Sequence, residues 1–166
     1  MLHTIVRQFR ILHSFVILVG LALPAAISAQ GVSLGVELSE AYRLGWDADA
    51  LQAAGKLAEA LPLYEQALAI QEEALAPGDP RLAQTLEQLG IVHHKREEYP
   101  RAGGFQRRAL AARLSAPHPD TGAVARVYRN LAAAHENQGH DAEAEVLYRH
   151  VLVMREVALG PDHPLR

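Results

Sequence analysis

The stretch Ala142-Glu-Ala-Glu-Val-Leu-Tyr-Arg-His-Val-Leu152 restates, without a gap, one that stands earlier as Ala58-Glu-Ala-Leu-Pro-Leu-Tyr-Glu-Gln-Ala-Leu68. A third copy lies midway, so that three segments align at a spacing of 42 residues. Ala60, Ala102 and Ala144 form one column, and Leu63, Phe105 and Leu147 another. Ala67, Ala109 and Val151 form a third, and Leu68, Leu110 and Leu152 a fourth. Gly55 and Gly139 lie two periods apart with Glu97 between them, Leu89 pairs with Leu131, and His93 with His135. Self-similarity at a period of this length marks a repeat architecture.

Each period reads as two helices. Leu82, Leu86 and Leu89 fall on one stripe at helical spacing. Asn137-Gln-Gly139-His-Asp141 reads as a turn, with Gly139 supplying the left-handed backbone that ends one helix and Asp141 N-capping the next. The second helix then runs from Ala142 to Leu159, with Ala144, Leu147, Val151 and Met154 inward. Small residues at Ala60, Ala102 and Ala144 let the two helices of a pair cross closely. Ala76-Pro-Gly-Asp-Pro80, Ala116-Pro-His-Pro-Asp120 and Gly160-Pro-Asp-His-Pro164 punctuate the periods, since proline stops one helix and starts another. The middle punctuation arrives three residues early in the 42-residue frame. A shorter second helix in the middle repeat and a longer helix after it are therefore expected. Asp47 stands where its sisters have Leu89 and Leu131, which weakens the first helix of the first repeat. Gly103-Gly104 makes the second helix of the middle repeat the softest element, each glycine being about 1 kcal/mol worse than alanine.

Ahead of the repeats, residues 1–29 read as a secretory signal. Arg7 and Arg10 give a positive start, Ile11 to Leu23 is almost wholly apolar, and Pro24-Ala-Ala-Ile-Ser-Ala29 is a small-residue exit. Cleavage is expected after Ala29, or after Ala26; the alternative is an uncleaved anchor, which is the only route to the membrane that the sequence offers. Either way the rest of the chain is expected outside the cytoplasm; arginine outnumbers lysine 14 to 2, as in GC-rich bacterial genomes, so the expected place is the periplasm or the cell exterior. A linker is expected over 30–41 and repeats over about 42–78, 79–118 and 119–160, with the start of a fourth at 160–166.

Of the 166 residues, 49% are apolar, 21% charged and 5% aromatic, a globular and helix-rich composition. The absence of cysteine excludes disulfides, thiolate metal sites and thiol nucleophiles. Without Arg7 and Arg10 the chain holds 14 basic and 19 acidic residues, an unfavourable balance for binding nucleic acid. His93 and His94 are adjacent, point about 100° apart on a helix and cannot chelate together. The His93/His135 column reads instead as satisfied, half-buried rings, and no metal or cofactor is expected. The few serines form no nucleophile elbow, and Gly103-Gly104 lacks the continuation of a phosphate loop. Carboxylate pairs such as Glu72/Glu73 sit on solvated faces, so no catalysis is expected. Arg101, Arg107, Arg108 and Arg113 form a basic cluster on the middle repeat that reads as a solvated face balanced by acids.

Together the Ala58–Ile70 and Asn130–Leu152 patterns and the Gly160-Pro-Asp-His-Pro164 punctuation resemble tetratricopeptide repeats. The 42-residue period is similar to the kinesin-light-chain type. The resemblance covers roughly residues 42 to 166 and implies an all-α protein, a right-handed α-solenoid of three helix-turn-helix repeats. It also implies that first helices line a concave groove that binds an extended peptide or another protein. If the leucine stripe faces inward, Gln84, Glu87, Gln88, Ile91, His94 and Lys95 lie on other faces. Their equivalents one period on are Arg126, Arg129, Asn130, Ala133, Glu136 and Asn137. Of these, Gln84, Glu87, Gln88, Ile91, His94, Arg126, Arg129, Asn130, Ala133 and Asn137 are the candidate binding residues. Gln88 and Asn130 match the column that in this family hydrogen-bonds peptide backbone, and amides suit that role because they both donate and accept. Arg126 and Arg129 would favour acidic groups.

The function expected is protein–protein recognition by an exported scaffold; the alternative is a regulatory or sensor segment of a larger enzyme system. No polar capping helix follows the third repeat, although solenoids need one for solubility. Leu147, which would fill the seam toward a further helix pair, and Leu152 are therefore expected to be left facing outward at this end. Either this end pairs with a second copy, or the chain belongs to a longer repeat protein.

Overall fold

The computed structural model describes residue 31 and residues 33–159, with side chains as far as Val157. The leader read over 1–29 and the fourth-repeat start read over 160–166 lie outside the described residues. The chain divides into two compact units, Met1–Ser39 and Glu40–Arg166. In the first, the described residues are helical, and Ser39 Oγ donates to the Gly35 carbonyl at 2.8 Å. The described residues of the second unit form six helices: α1 (40–53), α2 (Leu57–Ala74), α3 (Pro80–Lys95), α4 (Tyr99–Leu114), α5 (Thr121–Glu136) and α6 (Asp141–Leu159). No strand occurs among the described residues. They form three consecutive helical hairpins, α1/α2, α3/α4 and α5/α6, stacked as an α-solenoid.

The described part of the 30–41 stretch, expected as a linker, is helical, and Ala41 at its end is buried in the α1/α2 core with Leu44 and Ala67. Ala41, Leu44 and Ala48 place an apolar stripe on α1 that bypasses Asp47, whose carboxylate pairs with Arg43 at 2.9 Å. Substituting aspartate for the leucine of its sisters therefore leaves α1 intact.

The turn inside each hairpin is the same structure three times. Gly55, Glu97 and Gly139 all have left-handed backbone, with φ of 77°, 62° and 76°. The amides of Lys56, Glu98 and His140 donate to the carbonyls of Leu51, His93 and His135 at 2.9, 2.9 and 3.0 Å. This six-residue bond closes the C-terminus of the preceding helix and starts the next one without a side-chain cap. Asp141 accordingly stands inside the first turn of α6 and does not cap it: the Ala144 amide bonds the His140 carbonyl.

Side chains cap the other helix starts. Asp79 accepts from the Arg81 amide ahead of α3, with Pro80 opening the helix, and Asp120 accepts from the Gly122 and Ala123 amides ahead of α5. Gly78 is needed in the first of these connections, because a Cβ there would come within 2.6 Å of the Ser115 carbonyl oxygen in the second.

The early punctuation shortens α4 to 16 residues, against 18 for α2 and 19 for α6. The following helix is not lengthened: α5 has 16 residues, as α3 does. It starts one residue early in the 42-residue frame, and the connection before it takes up the rest.

Close crossing explains the alanine column, since Ala60, Ala102 and Ala144 are all buried. Around them a continuous core joins Tyr64 and Leu68 of α2, Leu82, Leu86, Leu89 and Val92 of α3, Ala109 and Ala112 of α4, and Val127 of α5. His93 is wholly within this packing: its Nδ1 lies 2.7 Å from Glu98 Oε2, and its ring stacks on Phe105 at 5.1 Å. His135, by contrast, is half-buried and its Nδ1 has no partner, because His140 stands where Glu98 stands one period earlier. On α6 Leu147, expected to face outward, is half-buried, whereas Leu152, Val153 and Val157 are exposed.

Candidate functional site

The first helices of the three hairpins, α1, α3 and α5, lie side by side. Gln52 of α1 donates to Gln88 Oε1 of α3 at 3.3 Å. Arg126 Nε of α5 donates to Glu87 Oε2 at 2.9 Å, and Asn137 Nδ2 lies 3.2 Å from His94 Nε2. Two cavities open between them. One of about 170 Å³ lies between α1 and α3, lined by Tyr42, Trp46, Asp49, Gln84 and Gln88, and reaches Tyr64 and Gln71 of α2. The other, of about 180 Å³, lies between α3 and α5, lined by Gly90, Ile91, His94, Lys95, Asn130 and Ala133, and reaches Gln106 of α4.

Of the ten sequence-expected residues, Gln84 and Gln88 meet in the first cavity and Ile91, His94, Asn130 and Ala133 in the second. Arg126, Arg129 and Asn137 are exposed and line neither. Glu87 is a correction. It is 3% exposed, and its carboxylate takes Arg113 Nε of α4 at 2.7 Å as well as Arg126. A carboxylate sunk between three helices must be paired to be tolerated, and both of its oxygens are. Glu87 therefore ties the stack together and offers nothing to a partner, and Arg113 of the basic cluster is committed to it. Arg126 keeps only its free guanidinium edge for an acidic group.

Tyr42 and Trp46 are the residues that the sequence reading missed. They are 66% and 72% exposed on the open face of α1, one turn apart. The 42-residue period could have found them: Tyr42, Gln84 and Arg126 share one column, and Trp46, Gln88 and Asn130 another. Extending the candidate columns back by one period would have brought both aromatics in.

Residues that line both cavities carry unpaired polar atoms. Gln71 Oε1 has no partner beside the first cavity, and Gln106 Oε1 and Asn130 Nδ2 have none at the second. Tyr64 and Tyr148, the sisters of Gln106, are satisfied instead. Tyr64 donates to Asp49 and lies 3.3 Å from Gln52, while Tyr148 donates to Glu136 at 2.9 Å. Burial first, and then the bond to Asp49, pushes the Tyr64 hydroxyl well above the usual phenol value. Among the described residues no three His, Asp or Glu side chains gather as a metal site. No described helix is long and apolar enough to cross a membrane.

This architecture places the chain in the class of helical-repeat solenoids. The tetratricopeptide repeat family matches over residues 47–115 and again over 124–165, together more than half of the chain. The chain belongs to the tetratricopeptide repeat proteins. Among solved structures it is similar to BtubC (BKLC) from P. vanneervenii, with a TM-score of 0.70 and 24% identity, over 78% of this chain and 52% of that one. It is also similar to the nearly identical TPR-like repeats of a Podosopora anserina kinesin light chain, with a TM-score of 0.66 and 24% identity, over 76% of this chain and 60% of that one. At that identity the likeness is one of fold, and the chain spans between half and three fifths of the length of these structures. Compared by sequence with curated proteins, the chain has no match.

Proposed function

We propose that the face formed by α1, α3 and α5 is a groove that holds an extended segment of a partner protein, and that the chain works by this binding without catalysis. The observation that carries the reading is the column Trp46, Gln88 and Asn130, one residue per hairpin, each lining a cavity between first helices. Gln88 and Asn130 can donate to and accept from the segment's backbone, while Trp46 with Tyr42 offers an aromatic platform for an apolar side chain. The groove is preformed, because Glu87 and the shared core fix neighbouring hairpins, so little ordering cost falls on this side of the complex.

The leader over 1–29 supports a working place outside the cytoplasm. The exposed Leu152, Val153 and Val157 of α6 support self-association through the third hairpin. Light-scattering mass across a hundredfold range of concentration tests that point; a constant monomer mass contradicts it.

The groove is tested with peptides selected from a random library on the intact chain. Trp46 is the only tryptophan, so binding should change its fluorescence. Replacing Gln88→Ala and Asn130→Ala together should weaken binding at least tenfold with the helical content unchanged. Unchanged affinity in that variant would sink the reading.

A further inference from the structure

We infer that the cavity between α3, α4 and α5 is a subsite for a carboxamide side chain, glutamine or asparagine, of the bound segment; this rests on the groove reading above. The middle hairpin differs from its neighbours at one buried position. Tyr64 and Tyr148 fill that position in the other two and send their hydroxyls to residues twelve places earlier, Gln52 and Glu136. In the middle hairpin the position is Gln106, 1% exposed, and the residue twelve places earlier is His94. Glutamine is shorter than tyrosine and does not extend to His94. Its Nε2 turns instead to the Glu87 carbonyl oxygen at 3.1 Å. Gly90 makes room for this, since a Cβ there would stand 2.3 Å from Gln106 Nε2. Gln106 lines the 180 Å³ cavity between α3 and α5, at the position where the sister hairpins carry Tyr64 and Tyr148.

Two unpaired atoms of opposite kind belong to residues that line this one cavity. Because Gln106 Nε2 is committed to a carbonyl, its other terminal atom is the acceptor Oε1, and it has no partner. Asn130 Nδ2 is a donor without a partner. Buried polar atoms left unpaired are destabilising, so a guest that pairs both is strongly favoured over one that pairs neither. An apolar side chain pairs neither. A carboxylate satisfies Asn130 Nδ2 but sets its charge against Gln106 Oε1, and an ammonium does the reverse with Lys95 on the rim. Backbone amide groups offer both functions, but along an extended strand they point to opposite sides and cannot enter a pocket together. A side-chain carboxamide carries N–H and C=O on one carbon. Its N–H donates to Gln106 Oε1 and its carbonyl accepts from Asn130 Nδ2, leaving Asn130 Oδ1 for the segment's backbone.

The test uses library-selected peptides on the full chain, with Gln106→Tyr and Asn130→Asp variants whose melting is checked first. Selected peptides should carry glutamine or asparagine at one position, and replacing it by methionine should weaken binding at least tenfold. In Gln106→Tyr, where a phenol closes the cavity, that ratio should fall to near one. In Asn130→Asp the same collapse is expected, because the donor has become an acceptor with little change of shape. Peptides that bind through Trp46 and Gln88 with no amide preference, or with a preference that survives both variants, overturn the subsite and leave the groove standing. Failure to select any peptide whose binding depends on Gln88 and Asn130 overturns both.

Discussion

Glu87 and Arg113 form a buried ion pair, with Arg113 Nε 2.7 Å from Glu87 Oε1 and side chains only 4% and 12% exposed. The pair joins α3 to α4, and Arg126 extends it to α5. Removing one partner of a buried pair leaves an uncompensated charge. Glu87→Ala should therefore cost about 3 kcal/mol in urea unfolding, whereas Arg126→Ala, half in solvent, should cost less than about 1 kcal/mol. Equal costs for the two would mean that Glu87 is not the buried hub described above.

Gly90 and Gln106 are matched to each other. The sister pairs are Ala48 with Tyr64 and Ala132 with Tyr148. Gly90→Ala alone should destabilise by about 1–2 kcal/mol, by driving Gln106 off the Glu87 carbonyl. With Gln106→Tyr present the same alanine should be neutral or stabilising. A double-mutant cycle in thermal unfolding reads the coupling directly, and additive effects would contradict the matched packing.

Glu97 is the only non-glycine residue among the described residues with positive φ, at 62°, where its sisters are Gly55 and Gly139. The left-handed conformation is unfavourable for a residue with a Cβ. Glycine relieves that strain but enlarges the unfolded ensemble, so Glu97→Gly should stabilise by about 0.5–1 kcal/mol. The melting temperature should rise accordingly. A fall would contradict the shared turn.

Glu98 responds to pH. The hydrogen bond from His93, and then that from Arg96, hold its carboxyl below the usual value of 4.5. A carboxyl whose folded pKa is depressed contributes stability that is fully present above its unfolded pKa and lost as pH falls through the folded one. The melting temperature of the unsubstituted chain should fall more between about pH 5 and about pH 3 than that of Glu98→Gln. Parallel curves would count against the His93–Glu98 contact.

Much of this fold was legible because repetition makes each signal count three times. The alanine column could only mark a close helix crossing, and Gly55 and Gly139 fixed the turn that Glu97 then adopts. What escaped were the places where one repeat departs from its sisters. Glu87 has Gly45 and Arg129 as period-mates, so no periodic rule could reveal that Arg113 and Arg126 converge on it from two other helices. Helicity of 33–41 was hidden by its weak repeat pattern, although Ala41 and Leu44 carry the inward stripe. Asp141 was misplaced because backbone geometry at Gly139, not a side-chain cap, starts α6. Half of the candidate groove was readable from α3 and α5; Tyr42 and Trp46 required the same columns to be followed into α1.

Peptide binding to one face is the central claim, and chemical-shift mapping of the chain with a library-selected peptide tests it most directly. Perturbed amides should gather on α1, α3 and α5, around Tyr42, Trp46, Gln88 and Asn130, with α2, α4 and α6 changed only where they touch the two cavities. Shifts centred instead on the exposed surfaces of α2 and α4, or on α6 around Val153, would contradict the groove.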